Sequence, residues 1–374
     1  MSDAPAAPAP ASRPERLITP PFAAVTAAAL VFFVYIGIVV VTVPRLIEDE
    51  LGAGEFGIGL TLASFALAAI LARPFLGRLG DRYGRRRLMM GGAVLAAASG
   101  VLCGFAGSLS VLIVLRAGTG IGEAAMFVGA ATLIADMSPP NRRAEAASYF
   151  SVAVFGGLGI GPVLGEAILG DDRFRLTFVV AGLVALGAAF LVLIVPDAID
   201  RRIVGEEKPP FRFFHPAALF PGFVLACGVA AYSVYSSFLP DYSRTIGLSG
   251  AGALFLVYSV VCLLCRVFGA RVPERLGAGV SVTFALAAIA LASLLLAAVP
   301  EVWALWSAAV IMGVGMAFMY PALMALVVNS VDEVERASAL SSFTMFFEAG
   351  SIIGGLALGG IGEVFGKRGA FLGG

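Results

Sequence analysis

The sequence predicts an all-α protein that crosses a membrane many times. Of its 374 residues, 59% are hydrophobic and only 13% are charged, against about a quarter charged in a soluble domain. Mean hydropathy is +0.96, so a water-soluble fold could not cover this much apolar surface. The apolar residues also lie in long continuous runs. An α-helix needs about 20 such residues to cross about 30 Å of hydrocarbon, whereas barrel strands are short and alternate.

The runs fall at 22–44, 56–76, 88–107, 110–135, 145–169, 176–196, 217–240, 250–270, 279–299, 302–328 and 337–361, eleven spans in all. Residues 1–21, with several Ala-Pro pairs, are expected to form a disordered cytoplasmic tail. The first apolar run starts late, is long and lacks a small-residue cleavage site, so no removable signal peptide is expected. Twenty-five basic and twenty-five acidic residues cancel, which removes the basic footprint of a nucleic-acid binder. The lone histidine, His215, leaves none to spare for His-rich metal sites or Ser-His-Asp chemistry. The four cysteines sit in apolar runs and suggest no disulfide framework. No metal and no cofactor is expected.

Orientation follows from the distribution of Lys and Arg between alternate loops. With the N-terminus inside, the cytoplasmic segments hold 18 basic residues, Arg73 and Arg266 among them, and the opposite side holds 6. A multi-pass protein of the cell membrane with a cytoplasmic N-terminus is the expectation.

Sliding the sequence along itself by 193 residues reveals a repeat. Arg73 meets Arg266, Arg78 meets Arg271, Asp81 meets Glu274, Arg82 meets Arg275 and Gly84 meets Gly277. Farther on, Arg143-Ala144 meets Arg336-Ala337, and Gly157 and Gly161 meet Gly350 and Gly354. Two parallel repeats of six spans, related by a pseudo-twofold axis along the membrane normal with a substrate path between them, are the consequence. The N-terminal bundle is placed at 22–196, a charged cytoplasmic linker at 197–216 and the C-terminal bundle at 217–374. The counterpart of the sixth span begins near Gly369 and the sequence ends at Gly374, so the second bundle is expected to hold five spans and the start of a sixth.

Between spans two and three lies Gly77-Arg78-Leu79-Gly80-Asp81-Arg82-Tyr83-Gly84-Arg85-Arg86-Arg87. One acid among five arginines at a helix end can be held ionised by a helix terminus and a neighbouring Arg. The loop resembles the hallmark G-x-L-x-D-R-x-G-R-R/K of the major facilitator superfamily, and Arg271-Val272-Pro273-Glu274-Arg275-Leu276-Gly277 is a degenerate second copy. The resemblance implies an alternating-access transporter in which Gly77, Asp81, Arg82, Gly84 and Arg85 form a gating loop. Arg143 is the expected partner of Asp81.

Span four carries Arg116, Thr119 and Glu123 at i, i+3 and i+7, on one helix face. Charges at membrane depth are costly unless paired or wetted, which marks them as functional candidates. The segment is similar to the superfamily pattern R-x-x-Q-G-x-G, with Thr119 in place of Gln. Gly118, Gly120 and Gly122 do not make a dinucleotide fingerprint, because no strand precedes them. In span five, Gly157, Gly161, Pro162 and Gly165 present a small-residue face. They resemble the G-x-x-x-G-P-x-x-G pattern associated with exporters, with Glu166 where a further glycine is usual. Glu348 lies mid-span in the eleventh run. Its repeat counterpart is Phe155 and that of Glu123 is Met316, so both acids break the symmetry.

A secondary transporter of a small organic solute follows, acting as a monomer within the lipid bilayer. No P-loop is present to use ATP, and Glu123 and Glu348 point to protons as the coupling ion. Arg116 is expected to find water, substrate or an acid such as Glu348. Proton-coupled efflux is the leading expectation; an uptake permease of the same fold, or a non-transporting sensor, is the alternative. A membrane enzyme would need a catalytic cluster that the sequence does not offer.

Overall fold

The computed structural model describes residues 17–170, 172–195, 212–248 and 251–373. Most of the expected tail and of the expected linker falls outside the described residues.

The first half holds α1 (Pro20–Asp49), α2 (Gly54–Tyr83), α3 (Arg85–Cys103), α4 (Leu109–Asp136), α5 (Arg143–Leu169) and α6 (Phe174–Val192). The second holds α7 (Pro216–Thr245), α8 (Gly252–Phe268), the short α9 (Val272–Leu276), α10 (Ala278–Ala298), α11 (Val302–Asn329) and α12 (Arg336–Gly373). Each expected span overlaps one helix, of at least 19 residues in every case but 250–270, where α8 has 17. Among the described residues, nine helices are long and apolar enough to cross a membrane, and α8 is a shorter apolar helix. α12 runs as one helix through Gly369, where the sequence places the start of a sixth span, and its Phe371 ring packs on Tyr242 of α7 at 5.3 Å.

Local chemistry sets the ends of these helices. Thr19 caps α1 by accepting the Phe22 amide at 3.4 Å, and prolines fill the first turn, where an N–H would have no partner. Gly84 and Gly277, one repeat apart, both turn the chain with positive φ, 97° and 86°. A side chain is strained there, so only glycine joins α2 to α3 and α9 to α10 so tightly. The second-half counterpart of α2 is split into α8 and α9. Gly80 of α2 corresponds to Pro273, which has no N–H to donate and sits in the first turn of α9.

Packing repeats the symmetry. α1 packs on α5 and α7 on α12 as the closest pairs of their halves. A Cβ built on Gly161 would lie 2.5 Å from the Val34 carbonyl oxygen and 2.6 Å from the Cα of Gly37. One on Gly354 would lie 2.5 Å from the carbonyl oxygen of Ala230, the repeat counterpart of Gly37. Gly157 and Gly165 also face α1, where a Cβ would meet Leu30 O at 2.6 Å and Val41 at 2.8 Å. Pro162 sits beside Gly37 in the same contact. The small-residue face of α5 is thus a seam against α1.

Gly161→Ala should destabilise the protein by about 1–3 kcal/mol, because both neighbours are backbone and the helices must separate. Gly159→Ala, with nothing within 4 Å of its Cβ position, should be neutral or mildly stabilising. Thermal unfolding of the two purified variants checks this, and equal melting temperatures would remove the seam as the reason for glycine.

Candidate functional site

Between the two halves lies a cavity of about 210 Å³. Its wall is mostly apolar, with the aromatic rings of Phe33, Phe65, Phe127, Phe155, Tyr320 and Phe347 among the residues facing it. Into this apolar space project four charged side chains: Arg73 from α2, Glu123 from α4, Arg266 from α8 and Glu348 from α12.

Arg73 is 3% exposed and lies ten residues inside the end of α2, about 15 Å along the axis. Its Nη2 is 3.2 Å from the Glu348 Oε1 and 3.6 Å from the Glu123 Oε2. One guanidinium therefore joins an acid of its own half to an acid of the other. The Phe127 ring lies 5.7 Å from the same guanidinium. Arg266, its repeat counterpart, is 4% exposed, donates to the Met316 carbonyl at 3.2 Å and stacks over the Phe155 ring at 4.5 Å.

These two arginines correct the orientation count, which places both among loop charges. Both fall inside apolar runs, 56–76 and 250–270, and the repeat aligns them, so the signal was present in the sequence. Without them the asymmetry still stands at 16 against 6.

Arg116 departs from expectation in a different way. Its Nη1 lies 3.2 Å from the Thr119 hydroxyl, which itself donates to the Arg116 carbonyl at 2.7 Å. The guanidinium lies 4.6 Å from the Phe65 ring, which also faces the cavity. Arg116 does not line the cavity and meets neither Glu123 nor Glu348; Arg73 occupies the place expected of it. The shared helix face of Arg116, Thr119 and Glu123 says where the residues start, but a neighbouring helix supplies the partner.

At the end of the bundle that holds the α2–α3 turn, the halves are tied together twice over, symmetrically. Asp81 accepts the Ala337 and Ser338 amides of α12 at 3.2 and 3.0 Å and the Ser338 hydroxyl at 2.6 Å. Arg85 holds the same carboxylate at 3.2 Å and reaches Asp136 at 3.3 Å. At the repeat-equivalent place, Glu274 accepts the Glu145 amide of α5 at 2.7 Å, with the Ala144 amide also favouring its charged form. A carboxylate thus caps the N-terminus of a helix in the opposite half at each place, where orphan amides and the helix dipole favour negative charge. Burial lifts the Glu274 carboxyl above its ordinary pKa, and these amides oppose that lift.

Two further crossed contacts obey the same offset. Arg336 of α12 meets Asp136 at 2.7 Å, and Arg143 of α5 donates to the side chain of Asn329, the counterpart of Asp136. Arg143 also donates to the Val328 carbonyl. The expected pairing of Arg143 with Asp81 is therefore not formed; Arg85, four residues after Asp81 across the Gly84 turn, takes that role. Of the remaining loop residues, Gly77 packs on α12, where a Cβ would meet the Ala337 carbonyl at 2.9 Å, and Arg82 lies exposed over the Tyr83 ring at 5.2 Å.

The profile of the Major Facilitator Superfamily matches residues 24–300 and 223–374. An MFS-type transporter of Pseudomonas aeruginosa (strain LESB58) is 27% identical over 349 residues, covering 91% of this chain and 86% of that protein. Quinolone resistance protein NorA of Staphylococcus aureus (strain MRSA252) is 30% identical over 246 residues, 60% of this chain and 62% of NorA. The fold is shared with the human organic anion transporter MFSD10 at a TM-score of 0.80 and 16% identity, covering 97% of each chain. It is also shared with the Escherichia coli fucose:proton symporter FucP at a TM-score of 0.72 and 15% identity, covering 94% of each chain. With the repeat, the interhalf cavity and the Asp81 loop in place, the chain belongs to the Major Facilitator Superfamily and is a multi-pass membrane transporter.

Proposed function

We propose that this transporter moves a small organic solute by alternating access and couples the movement to protons, as a monomer in the cell membrane with its N-terminus in the cytoplasm. The observation that carries the reading is the placement of Glu123 and Glu348 on opposite halves around a single Arg73 inside the cavity. Arg73 has two acids competing for it, so a proton on either releases that acid from the guanidinium and loosens the tie between the halves. The capped helix ends at Asp81 and Glu274 then act as the cytoplasmic seal, which must open in the other state.

The small-residue seam of α5 and the relative named for quinolone resistance support efflux. Uptake is the second reading, and the charge count favours it for one substrate class. Two arginines and two acids sum to zero, so a cation would displace a proton, whereas an anion would enter together with one.

Membrane vesicles containing the chain, energised by a pH gradient and offered a panel of quinolones, aromatic acids and aromatic amines, test the proposal. At least one compound should move saturably and collapse part of the gradient, with the direction of proton movement separating exchange from cotransport. Saturable flux indifferent to the gradient would remove proton coupling.

A further inference from the structure

We propose that Arg266 is the recognition residue for an anionic group, so that the substrate is an amphipathic organic anion with an aromatic or otherwise apolar body. This deepens the transport reading above and rests on it.

The argument begins with the broken symmetry of the cavity. Arg73 and Arg266 are one repeat apart, on helices that occupy equivalent places. Arg73 is paired with Glu348 and Glu123. The positions equivalent to those two acids in the other half are Phe155 and Met316, and it is those residues that Arg266 meets, through the Phe155 ring and the Met316 carbonyl. The same buried guanidinium is thus compensated on one side and left uncompensated on the other. In both arginines Nε and Nη1 have no hydrogen-bond partner; the difference lies at Nη2, which meets two carboxylates in Arg73 and only the neutral Met316 carbonyl in Arg266. The ionisable groups in the electrostatic reach of Arg266 include Tyr232, Tyr258, Tyr320 and Cys262, none of them a carboxylate.

A buried cation with free donors is costly to keep unless something outside the chain completes it. A carboxylate or sulfonate does so with the right geometry, because its oxygens match the fork of a guanidinium. A second orphan donor points to the same ligand. The Tyr320 hydroxyl is buried without a partner, faces the same cavity and lies within the electrostatic reach of both Arg73 and Arg266. Arg73 does not compete for the anion, since two acids already face it. The remaining wall is aromatic and aliphatic apart from Ser151 and Thr344, whose hydroxyls donate to carbonyls of their own helices. Such a wall suits the body of an aromatic acid rather than a sugar or a small inorganic ion.

The test is binding to the purified full chain in detergent, by isothermal titration, of three probes with one body: 2-naphthoate, 2-naphthylmethylammonium and the neutral 2-naphthalenemethanol. The wild type should bind naphthoate at least tenfold more tightly than the ammonium compound. Arg266→Gln should lose at least tenfold for naphthoate and leave the neutral probe unchanged, and Arg266→Lys should recover part of the loss. A purely structural role would weaken all three probes together. Absence of a preference for naphthoate in the wild type, or wild-type naphthoate affinity in Arg266→Gln, would overturn the assignment. If Arg266→Gln does not elute as a folded species, Arg266→Lys and Tyr320→Phe carry the test, and unchanged naphthoate affinity in both overturns it equally. Binding in detergent needs no pH gradient, so failure of proton coupling in vesicles and failure of anion recognition remain separate results.

Discussion

Glu123→Gln should reduce gradient-driven accumulation of substrate to the level of vesicles lacking the protein, while exchange of substrate at equal pH on both sides continues. The reason lies in the geometry around Arg73. Glu123 is buried, 3.6 Å from the guanidinium, and its Oε2 has no hydrogen-bond partner besides that attraction. Glutamine keeps the shape of the protonated acid, so the cavity can still load and turn over. It can no longer give the proton up, so the gradient has nothing to act on. Glu348, at 3.2 Å from the same nitrogen, then holds Arg73 alone. Glu348→Gln should give a related but distinct defect, because it severs the tie between the halves rather than a contact within one. The two substitutions share one guanidinium, and their effects should not add. Retention of gradient-driven flux by Glu123→Gln would move the coupling role to Glu348.

Much of the fold was legible because lipid imposes a simple length rule on apolar runs and because a repeat of half the chain reports its own symmetry. The offset of 193 residues relates the turn glycines, Gly84 and Gly277, and the seam residues, Gly161 and Gly354. It also relates the crossed contacts of Arg336 and Arg143, down to the substitution of Asn329 for Asp136. The acids Glu123 and Glu348 were legible for the opposite reason: they break the repeat where nothing structural requires it.

What the sequence hid was which helix faces which. Spacing along α4 places Arg116 and Glu123 on one face but cannot say that Phe65 shields the first and Arg73 meets the second. Counting arginines near span ends treats Arg73 and Arg266 as surface charges, since a run of apolar residues does not mark its own depth. Their alignment at 73 and 266, inside two expected spans, was the sign that they belong to the interior. The gate shows the same limit. Asp81 was identifiable from its loop, whereas its ligands, the amides of Ala337 and Ser338, lie more than 250 positions away and carry no side-chain signature at all.

Asp81→Asn should slow transport at least tenfold without unfolding the protein, because the charge is needed in one conformation only. In the sealed state the carboxylate accepts two amides and a hydroxyl from α12 and pairs with Arg85. Asparagine retains one acceptor oxygen and loses the charge. Charge-assisted hydrogen bonds contribute about 1.5–3 kcal/mol each, and the helix-terminus interaction up to about 2 kcal/mol when partly buried. Some of this is recovered by water once the halves part, so a net loss of about 2–3 kcal/mol shifts the balance between sealed and open states by about 30- to 150-fold. A cysteine placed at Ser151 in the cavity wall, in a background without the four native cysteines, should then react faster with an impermeant maleimide from the cytoplasmic side. Glu274→Gln removes the symmetric cap on α5 and should shift accessibility in the same direction by less, since its carboxylate accepts no hydroxyl comparable to that of Ser338. The double variant should exceed either single one, because each cap holds a different helix end. Unchanged cysteine reactivity in Asp81→Asn, together with a wild-type transport rate, would show that this carboxylate caps a helix without gating it.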